Sequence, residues 1–184
     1  RYLFFTLGII YFLNNYPNFI KYFFYSISIT FIVVLFDGYI QWYLGYNIFG
    51  WKPEFAHRIT GMFGNESILG SYIARLTPLL FALFFFIKPK INLKIVIFLL
   101  SILLVLNLLI LRSGERSAFF FTILFDCFFL LILNKEYKKY ILYFCFFLFI
   151  SLYLSINFSN HIKHRMIDVS IEHLTEKKFI KYGP

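Results

Sequence analysis

The chain has 184 residues, of which 60% are hydrophobic and 24% aromatic, and its formal net charge is +9. A soluble domain of this size does not bury that much apolar surface, so the composition excludes a soluble globular protein and predicts an integral membrane protein. The two cysteines, Cys127 and Cys145, lie inside apolar runs at neither disulfide nor metal-ligand spacing, so we expect no metal site.

Six apolar runs divide the chain. A helix needs about 20 apolar residues to cross a bilayer. By that measure the sequence predicts spans at residues 2–13, 20–37, 68–87, 94–111, 117–133 and 140–156. We therefore expect an all-α, polytopic membrane bundle over residues 1–156, followed by a polar segment, 157–184, that does not return to the membrane. Because the chain begins with Arg rather than Met and stops in a polar stretch, we interpret it as a fragment of a longer protein.

The segment between the second and third runs, residues 37–67, is the first long irregular stretch, with five glycines and one proline. The second helix either ends near Phe36 or runs on through the aromatic residues 39–46. Aromatic side chains of the kind that settle at a membrane interface rim this segment: Trp42, Tyr43, Tyr46 and Trp51.

Lysines and arginines separate in the predicted topology. By the positive-inside rule the lysine-bearing loops face the cytoplasm, and these loops hold Lys21, Lys88, Lys90, Lys94, Lys135, Lys138 and Lys139. All six arginines lie outside those loops: Arg1, Arg58, Arg75, Arg112, Arg116 and Arg165. Because a guanidinium group binds phosphate or carboxylate through two hydrogen bonds, we predict that the opposite face holds an anion.

Two polar segments on that face are candidates for the anion site. Arg112–Ser117 joins two long apolar runs, and its two arginines indicate either a solvated turn or a preformed anion site. Arg58–Ser67 opens the third span, where Asn65 or Ser67 is expected to cap the helix. Free backbone N–H groups beside Arg58 would then form a phosphate cradle, with a glycine-rich turn as the alternative.

Two charges lie inside the predicted spans. Arg75 lies about 10 Å inside the third span by helical rise, and Asp126 lies near the middle of the fifth. Because intramembrane charges are costly, they are normally paired or face a cavity. Either the two side chains meet, or Arg75 points into an outer cavity, which a kink at Pro78 would help to open. A buried pair that locks the helices together is equally compatible with the sequence.

The polar tail contains His161, His164, Arg165 and His173. His161 and His164 could share a helix face, but Lys163 and Arg165 would repel a cation, so we expect no metal there. An amphipathic helix on the membrane surface explains most of this segment, and a histidine acting as general base near an anionic head group is the alternative.

The order of three motifs resembles that of the O-antigen ligase and O-antigen polymerase family of bacterial envelope proteins. The motifs are Asp37-Gly38-Tyr39-Ile40-Gln41 with Gly45, then Arg58-x-x-Gly61-x-Phe63-Gly64-Asn65, then Ser113-Gly114-Glu115-Arg116-Ser117-Ala118. A last span that leads into a long outer segment completes the likeness, which covers most of the chain. The motifs are short, and their order and sidedness carry the resemblance.

The resemblance implies a GT-C-like helical protein of the bacterial inner membrane with its active face in the periplasm. Such a protein is an inverting, metal-independent glycosyltransferase that needs no cofactor. It moves a glycan from undecaprenyl pyrophosphate to lipid A–core, as a ligase, or to another glycan, as a polymerase. The expected partners are therefore the lipid-linked glycan, the acceptor and the bilayer, with no nucleic acid.

The resemblance also implies roles for individual residues. The family's pyrophosphate-binding arginines fall by motif on Arg58 and Arg116, and we predict that Arg75, Arg112 and Arg165 assist them or shape the cavity. The family histidine lies late in a large periplasmic loop, which begins here at residue 157 and is expected to continue beyond residue 184. Among the histidines present, His164 is the candidate base, and the fragment is expected to be inactive alone.

The competing interpretation is a flippase for lipid-linked glycans or an anion transporter. A transporter should carry charged or kinked elements along its whole path, often in two repeated halves. Here the polar residues gather on one side and no internal repeat is evident, which favours an enzyme. A purely structural membrane subunit is the third class, and it predicts that lysine can replace the outer arginines freely.

Overall fold

A computed structural model describes residues 2–16, 18–53, 58–133 and 135–158. These residues form six α helices and no strand, which confirms the predicted all-α class. The helices are α1 (Tyr2–Asn15), α2 (Phe19–Leu44), α3 (Leu69–Ile87), α4 (Leu93–Ser113), α5 (Arg116–Ile132) and α6 (Lys138–Phe158). Short 3₁₀ helices lie at Gly61–Phe63 and Lys135–Tyr137.

Three of these helices, α2, α3 and α4, are long and apolar enough to span a membrane. The longest, α2, runs on to Leu44, so the irregular segment begins at Gly45 and not at residue 37. Gly45 takes a left-handed conformation with φ of 79° and donates its backbone N–H to the Gln41 carbonyl, which ends the helix. The last two turns of α2 stay helical because their polar side chains, Asp37 and Gln41, are buried and bonded to the segments that follow.

The interior of the bundle is built around α3 and α4. α4 packs against α2, α3, α5 and α6, while α3 packs against α2, α4 and α5. Leucine and isoleucine fill the space between them, and fully buried examples are Leu69, Ile73, Leu103, Leu106 and Ile110. α1 packs along α2 at the edge of the bundle.

The predicted cytoplasmic lysines gather at one end of the bundle, which we call the lysine end. The loop before α4 meets the turn before α6 there, because the Tyr137 hydroxyl donates to the Ile91 carbonyl at 3.3 Å. The start of α2 reaches the same end, since the Phe24 and Phe84 ring centroids are 6.3 Å apart. The opposite end, which we call the arginine end, carries Arg58, Arg112 and Arg116, together with one lysine, Lys52.

Candidate anion site at the arginine end

The three motifs of the sequence analysis meet at the arginine end. The first contact joins α2 to the segment before α3. The Gln41 side-chain oxygen accepts the backbone N–H groups of Thr60 and Gly61, each at 2.7 Å, and its amide donates to the Thr60 hydroxyl at 3.4 Å. Gln41 is only 3% exposed, so the amide side chain replaces water for two backbone donors that would otherwise be buried unpaired.

The second contact joins that same segment to the end of α4. Arg58 donates through Nε to the Ser113 carbonyl at 3.3 Å. The last carbonyls of a helix have no partner within the helix and carry partial negative charge, so a guanidinium group is well placed there. Arg58 thereby fixes the position of the turn between α4 and α5.

The third contact joins that turn to the start of α3. The Glu115 carboxylate accepts the backbone N–H of Gly70 at 2.7 Å, the backbone N–H of Ser71 at 2.9 Å, and the Ser71 hydroxyl. Gly70 permits this approach, because a Cβ at that position would collide with the Ser113 hydroxyl oxygen. The partial positive charge at the N-terminus of α3 is therefore compensated by the Glu115 carboxylate of the same chain.

This contact corrects the prediction made for the segment before α3. The helix begins at Leu69 with Ile68 as its N-cap, so the predicted capping by Asn65 or Ser67 is wrong. The sequence predicted free backbone N–H groups at this helix start, and the structure shows that those of Gly70 and Ser71 already bind Glu115. A carboxylate with two oxygens on a neighbouring turn satisfies more donors than a single serine or asparagine cap.

Arg112 points back toward α2. Its guanidinium carbon lies 4.7 Å from the centroid of the Trp42 ring, within the range of a cation–π interaction. Its Nε is buried and has no hydrogen-bond partner. Arg112 therefore helps to pack α4 on α2. Arg116 differs from it, because it begins α5 and its side chain is exposed.

A cavity of about 430 Å³ opens between α3 and α5 beside this junction. Its lining residues are Ser71, Ala74, Arg75 and Pro78 from α3 and Ser117, Ala118 and Phe121 from α5. Arg75 lies six residues after the start of α3, about 9 Å along the helix axis. Within the part of the chain that the structure describes, its side chain has no hydrogen-bond or ion-pair partner. The Ser71 hydroxyl already donates to Glu115, so the groups of this lining that can donate to an anion are the Arg75 guanidinium group and the Ser117 hydroxyl.

Asp126 is not the partner of Arg75. It is 3% exposed and accepts the Asn107 side-chain amide at 2.7 Å. Of the two predicted arrangements, the pairing of Arg75 with Asp126 is therefore wrong, and Arg75 lines a cavity. The physical reason is the direction of the side chains: Asp126 lies on the face of α5 toward α4, and Asn107 supplies its hydrogen bond across that contact.

Several predicted residues lie outside the described part of the chain. These are Arg1 and the tail residues His161, His164, Arg165 and His173. Among the described residues, no group of three or more His, Cys, Asp or Glu side chains lies close enough to hold a metal ion.

Comparisons of the chain with protein-family models, with curated proteins and with solved structures found no match. The resemblance to the O-antigen ligase and polymerase family therefore stays a prediction, resting on the three motifs and their order.

Proposed function

We propose that the cavity between α3 and α5 binds the phosphate groups of a lipid-linked glycan. On this proposal the protein is a membrane glycosyltransferase of the O-antigen ligase type, which takes a glycan from undecaprenyl pyrophosphate. The observation that supports it most directly is Arg75, a cation in a helix apolar enough to span a membrane, lining a cavity with Ser71 and Ser117.

The electrostatic argument begins with the cost of that cation. A guanidinium group without a partner at membrane depth costs several kcal/mol unless it faces water or an anion. The cavity has room for a phosphate group, and the Ser117 hydroxyl can donate to an oxygen that Arg75 does not reach. Arg116 directly precedes Ser117 in the chain and is exposed, and the proposal assigns the second guanidinium group to it.

In this proposal Arg58 and Arg112 have structural roles and do not bind the phosphate groups. Arg58 anchors the turn before α5 through Ser113, and Arg112 packs on Trp42. Both contacts fix the turn that carries Arg116. Glu115 occupies the start of α3, so the proposal directs the incoming anion to Arg75 and Ser117.

The proposed reaction is an inverting displacement at the anomeric carbon. A bond forms from the acceptor hydroxyl oxygen to that carbon, and the bond from the carbon to the pyrophosphate oxygen breaks. Guanidinium groups stabilise the charge that develops on the leaving oxygen, and one such contact typically lowers the barrier by about 3 kcal/mol. A base removes the proton of the acceptor hydroxyl, and His164, outside the described residues, is the candidate for it.

The proposal extends to the arrangement in the membrane. All six helices would cross the bilayer in a GT-C-like bundle. The lysine end would face the cytoplasm by the positive-inside rule, and the arginine end would face the periplasm of a bacterial inner membrane. The acceptor would be lipid A–core for a ligase or another glycan for a polymerase, and no metal or cofactor takes part.

Binding of undecaprenyl pyrophosphate to the detergent-solubilised chain tests the site directly. Arg75→Gln should weaken binding about 10-fold or more, because hydrogen bonds to charged groups contribute about 1.5–3 kcal/mol. Lys90→Gln is the matched control, since it removes an exposed cation at the lysine end without touching the cavity. Equal affinity of the Arg75→Gln variant and the parent chain would refute the site.

Glycan transfer in detergent by the full-length protein separates an enzyme from a flippase or anion transporter, because transport requires two sealed compartments. Transfer by the solubilised protein supports the enzyme. If glycan-linked lipid moves across the membrane of sealed vesicles while solubilised protein transfers nothing to an acceptor, the transporter is the better interpretation.

A further inference from the structure

The segment that follows α2, Gly45–Trp51, folds back along the helix instead of extending into water; we call it the return turn. Gly45 reverses the chain direction, and the backbone N–H of Ile48 then donates to the Asp37 carboxylate at 2.8 Å. Asp37 lies seven residues before the end of α2, about 10 Å back along the helix axis. The return turn therefore lies beside the last two turns of α2.

Five consecutive backbone N–H groups of the return turn are hydrogen-bonded within the protein. The bonds run from Asn47 N to Trp51 O (3.0 Å), Ile48 N to Asp37 Oδ1 (2.8 Å), Phe49 N to Asn47 Oδ1 (3.1 Å), Gly50 N to Asn47 O (2.8 Å) and Trp51 N to Asn47 Oδ1 (2.8 Å). A turn in water does not need this, because water bonds free N–H groups. A turn in contact with lipid does need it, because lipid tails offer no hydrogen-bond partner.

Asn47 and Asp37 organise these bonds from inside the protein. Both residues are 0% exposed. The Asn47 amide also donates to the Gly61 carbonyl at 3.1 Å, which ties the return turn to the segment before α3. The turn is thus held in one conformation by buried polar groups, and the N–H groups of residues 47–51 do not depend on water.

The outward face of the return turn is apolar and aromatic. Phe49 is 61% exposed and Trp51 is 52% exposed, and their ring centroids are 5.4 Å apart. The large apolar side chains exposed on this face and on the end of α2 are Tyr43, Leu44, Tyr46, Ile48, Phe49 and Trp51. A group of exposed apolar side chains of this kind marks an interaction surface.

The length of α2 sets the depth of this patch. From Lys21, at the lysine end, to Asp37 is 16 residues, or about 24 Å of helix. The hydrocarbon core of a bilayer is about 30 Å thick. With Lys21 at one boundary of the core, Asp37 and the return turn bonded to it lie near the other boundary, where tryptophan and tyrosine prefer to reside.

We propose that the return turn is a re-entrant membrane anchor. It inserts Ile48, Phe49 and Trp51 into the boundary between head groups and acyl chains in the leaflet at the arginine end. The partner is the phospholipid interface. Lys52 follows the turn and is exposed, so its ammonium group can reach lipid phosphates while its alkyl stem stays among the chains. The anchor is independent of the proposed glycan transfer, because it uses no residue of the cavity.

Tryptophan fluorescence in nanodiscs made with brominated phosphatidylcholine tests the anchor. The chain has two tryptophans, so Trp42→Phe leaves Trp51 as the only emitter. Bromine placed near the glycerol end of the acyl chains should quench Trp51 about twofold more strongly than bromine near the methyl end, because indole rings reside at the interface. Aqueous iodide should quench it weakly.

Two results would overturn the proposal. Strong quenching by iodide without quenching by brominated lipid would place the return turn in water. Weak quenching by both would mean that a second copy or another protein covers the patch. The Asn47→Ala variant adds a second measurement: it removes the acceptor of the Phe49 and Trp51 N–H groups, so iodide quenching of Trp51 should rise. The matched Trp51→Phe variant, in which Trp42 emits, shows whether the rest of the bundle keeps its fold.

Discussion

The Glu115 carboxylate accepts the backbone N–H of Gly70 at 2.7 Å, so the turn before α5 caps the start of α3 from 45 residues away. This bond, with its companions at Ser71, makes the arginine end one connected unit. Helix starts are usually capped by the residue next to them. A cap supplied by the turn between α4 and α5 couples the packing of α3 to the conformation of the segment that carries Arg116.

Replacing Glu115 by Gln tests that coupling. The amide retains one oxygen acceptor and loses the negative charge, so at least one N–H of Gly70 or Ser71 loses its partner. We expect a loss of about 1–3 kcal/mol in the free energy of unfolding, as for a buried donor left unsatisfied. This loss is measured by unfolding the protein in mixed micelles and following the circular dichroism signal of its helices. Glu66→Gln is the control, because Glu66 is an exposed acid near the same helix start. Equal stability of the two variants would contradict the capping role.

The close approach at Gly70 gives a second prediction. A Cβ on residue 70 would overlap the Ser113 hydroxyl oxygen, so Gly70→Ala should destabilise the bundle by about 1–3 kcal/mol, as overpacking does. Ser113→Ala removes that oxygen. The double variant should therefore recover part of the loss, which is a favourable coupling in a double-mutant cycle. Additive losses in the same unfolding measurement would show that the two positions do not touch.

The helical architecture could be predicted from the sequence, because apolar runs of the right length leave few alternatives in a membrane protein. A helix lies in each of the six predicted runs. The length of α2 was harder to predict. Polar residues such as Asp37 and Gln41 indicate the end of an apolar helix when their hydrogen-bond partners are unknown. Their partners are backbone groups at Ile48, Thr60 and Gly61. A sequence pattern does not reveal hydrogen bonds between residues this far apart in the chain.

For the candidate site, the sequence predicted some of the residues involved but not their contacts. The sequence singled out the motif around Arg116 and the charge at Arg75, but it assigned the start of α3 to an external anion when Glu115 already occupies it. Glu115 is part of the third sequence motif, but its role in capping α3 is visible only from its contacts in the structure. Asn107 was missed altogether, although a single amide among leucines and isoleucines in α4 was a usable signal.

The sidedness of the bundle has its own test. The positive-inside rule assigns the lysine end to the cytoplasm, so a cysteine introduced at Glu66 should react with a membrane-impermeant maleimide in intact cells or spheroplasts. A cysteine at Lys90 should react only after lysis. Cys127 and Cys145 are free and exposed on the helices, so both are first replaced by serine. The reverse labelling pattern would put the arginine end in the cytoplasm and remove the periplasmic part of the proposed function.

The side chains of Asn107 and Asp126 form a 2.7 Å hydrogen bond between α4 and α5. Both side chains are almost fully buried, and the Asn107 side-chain oxygen and the second carboxylate oxygen of Asp126 have no hydrogen-bond partner. Asn107→Leu leaves the Asp126 carboxyl group buried without its donor, and we expect it to destabilise the bundle by about 3 kcal/mol or more. Replacing both residues by leucine removes the buried polar groups together, so the double variant should be more stable than Asn107→Leu alone and close to the parent.

The same double variant separates a structural pair from a functional one. A pair that only locks α4 to α5 is dispensable once leucine fills its space, so the double variant should keep the parent's affinity for undecaprenyl pyrophosphate. A carboxyl group that carries protons or ions through the membrane is not replaceable by leucine. A stable double variant that loses transport across sealed vesicles would therefore favour the transporter over the enzyme, because the pair lies away from the Arg75 cavity.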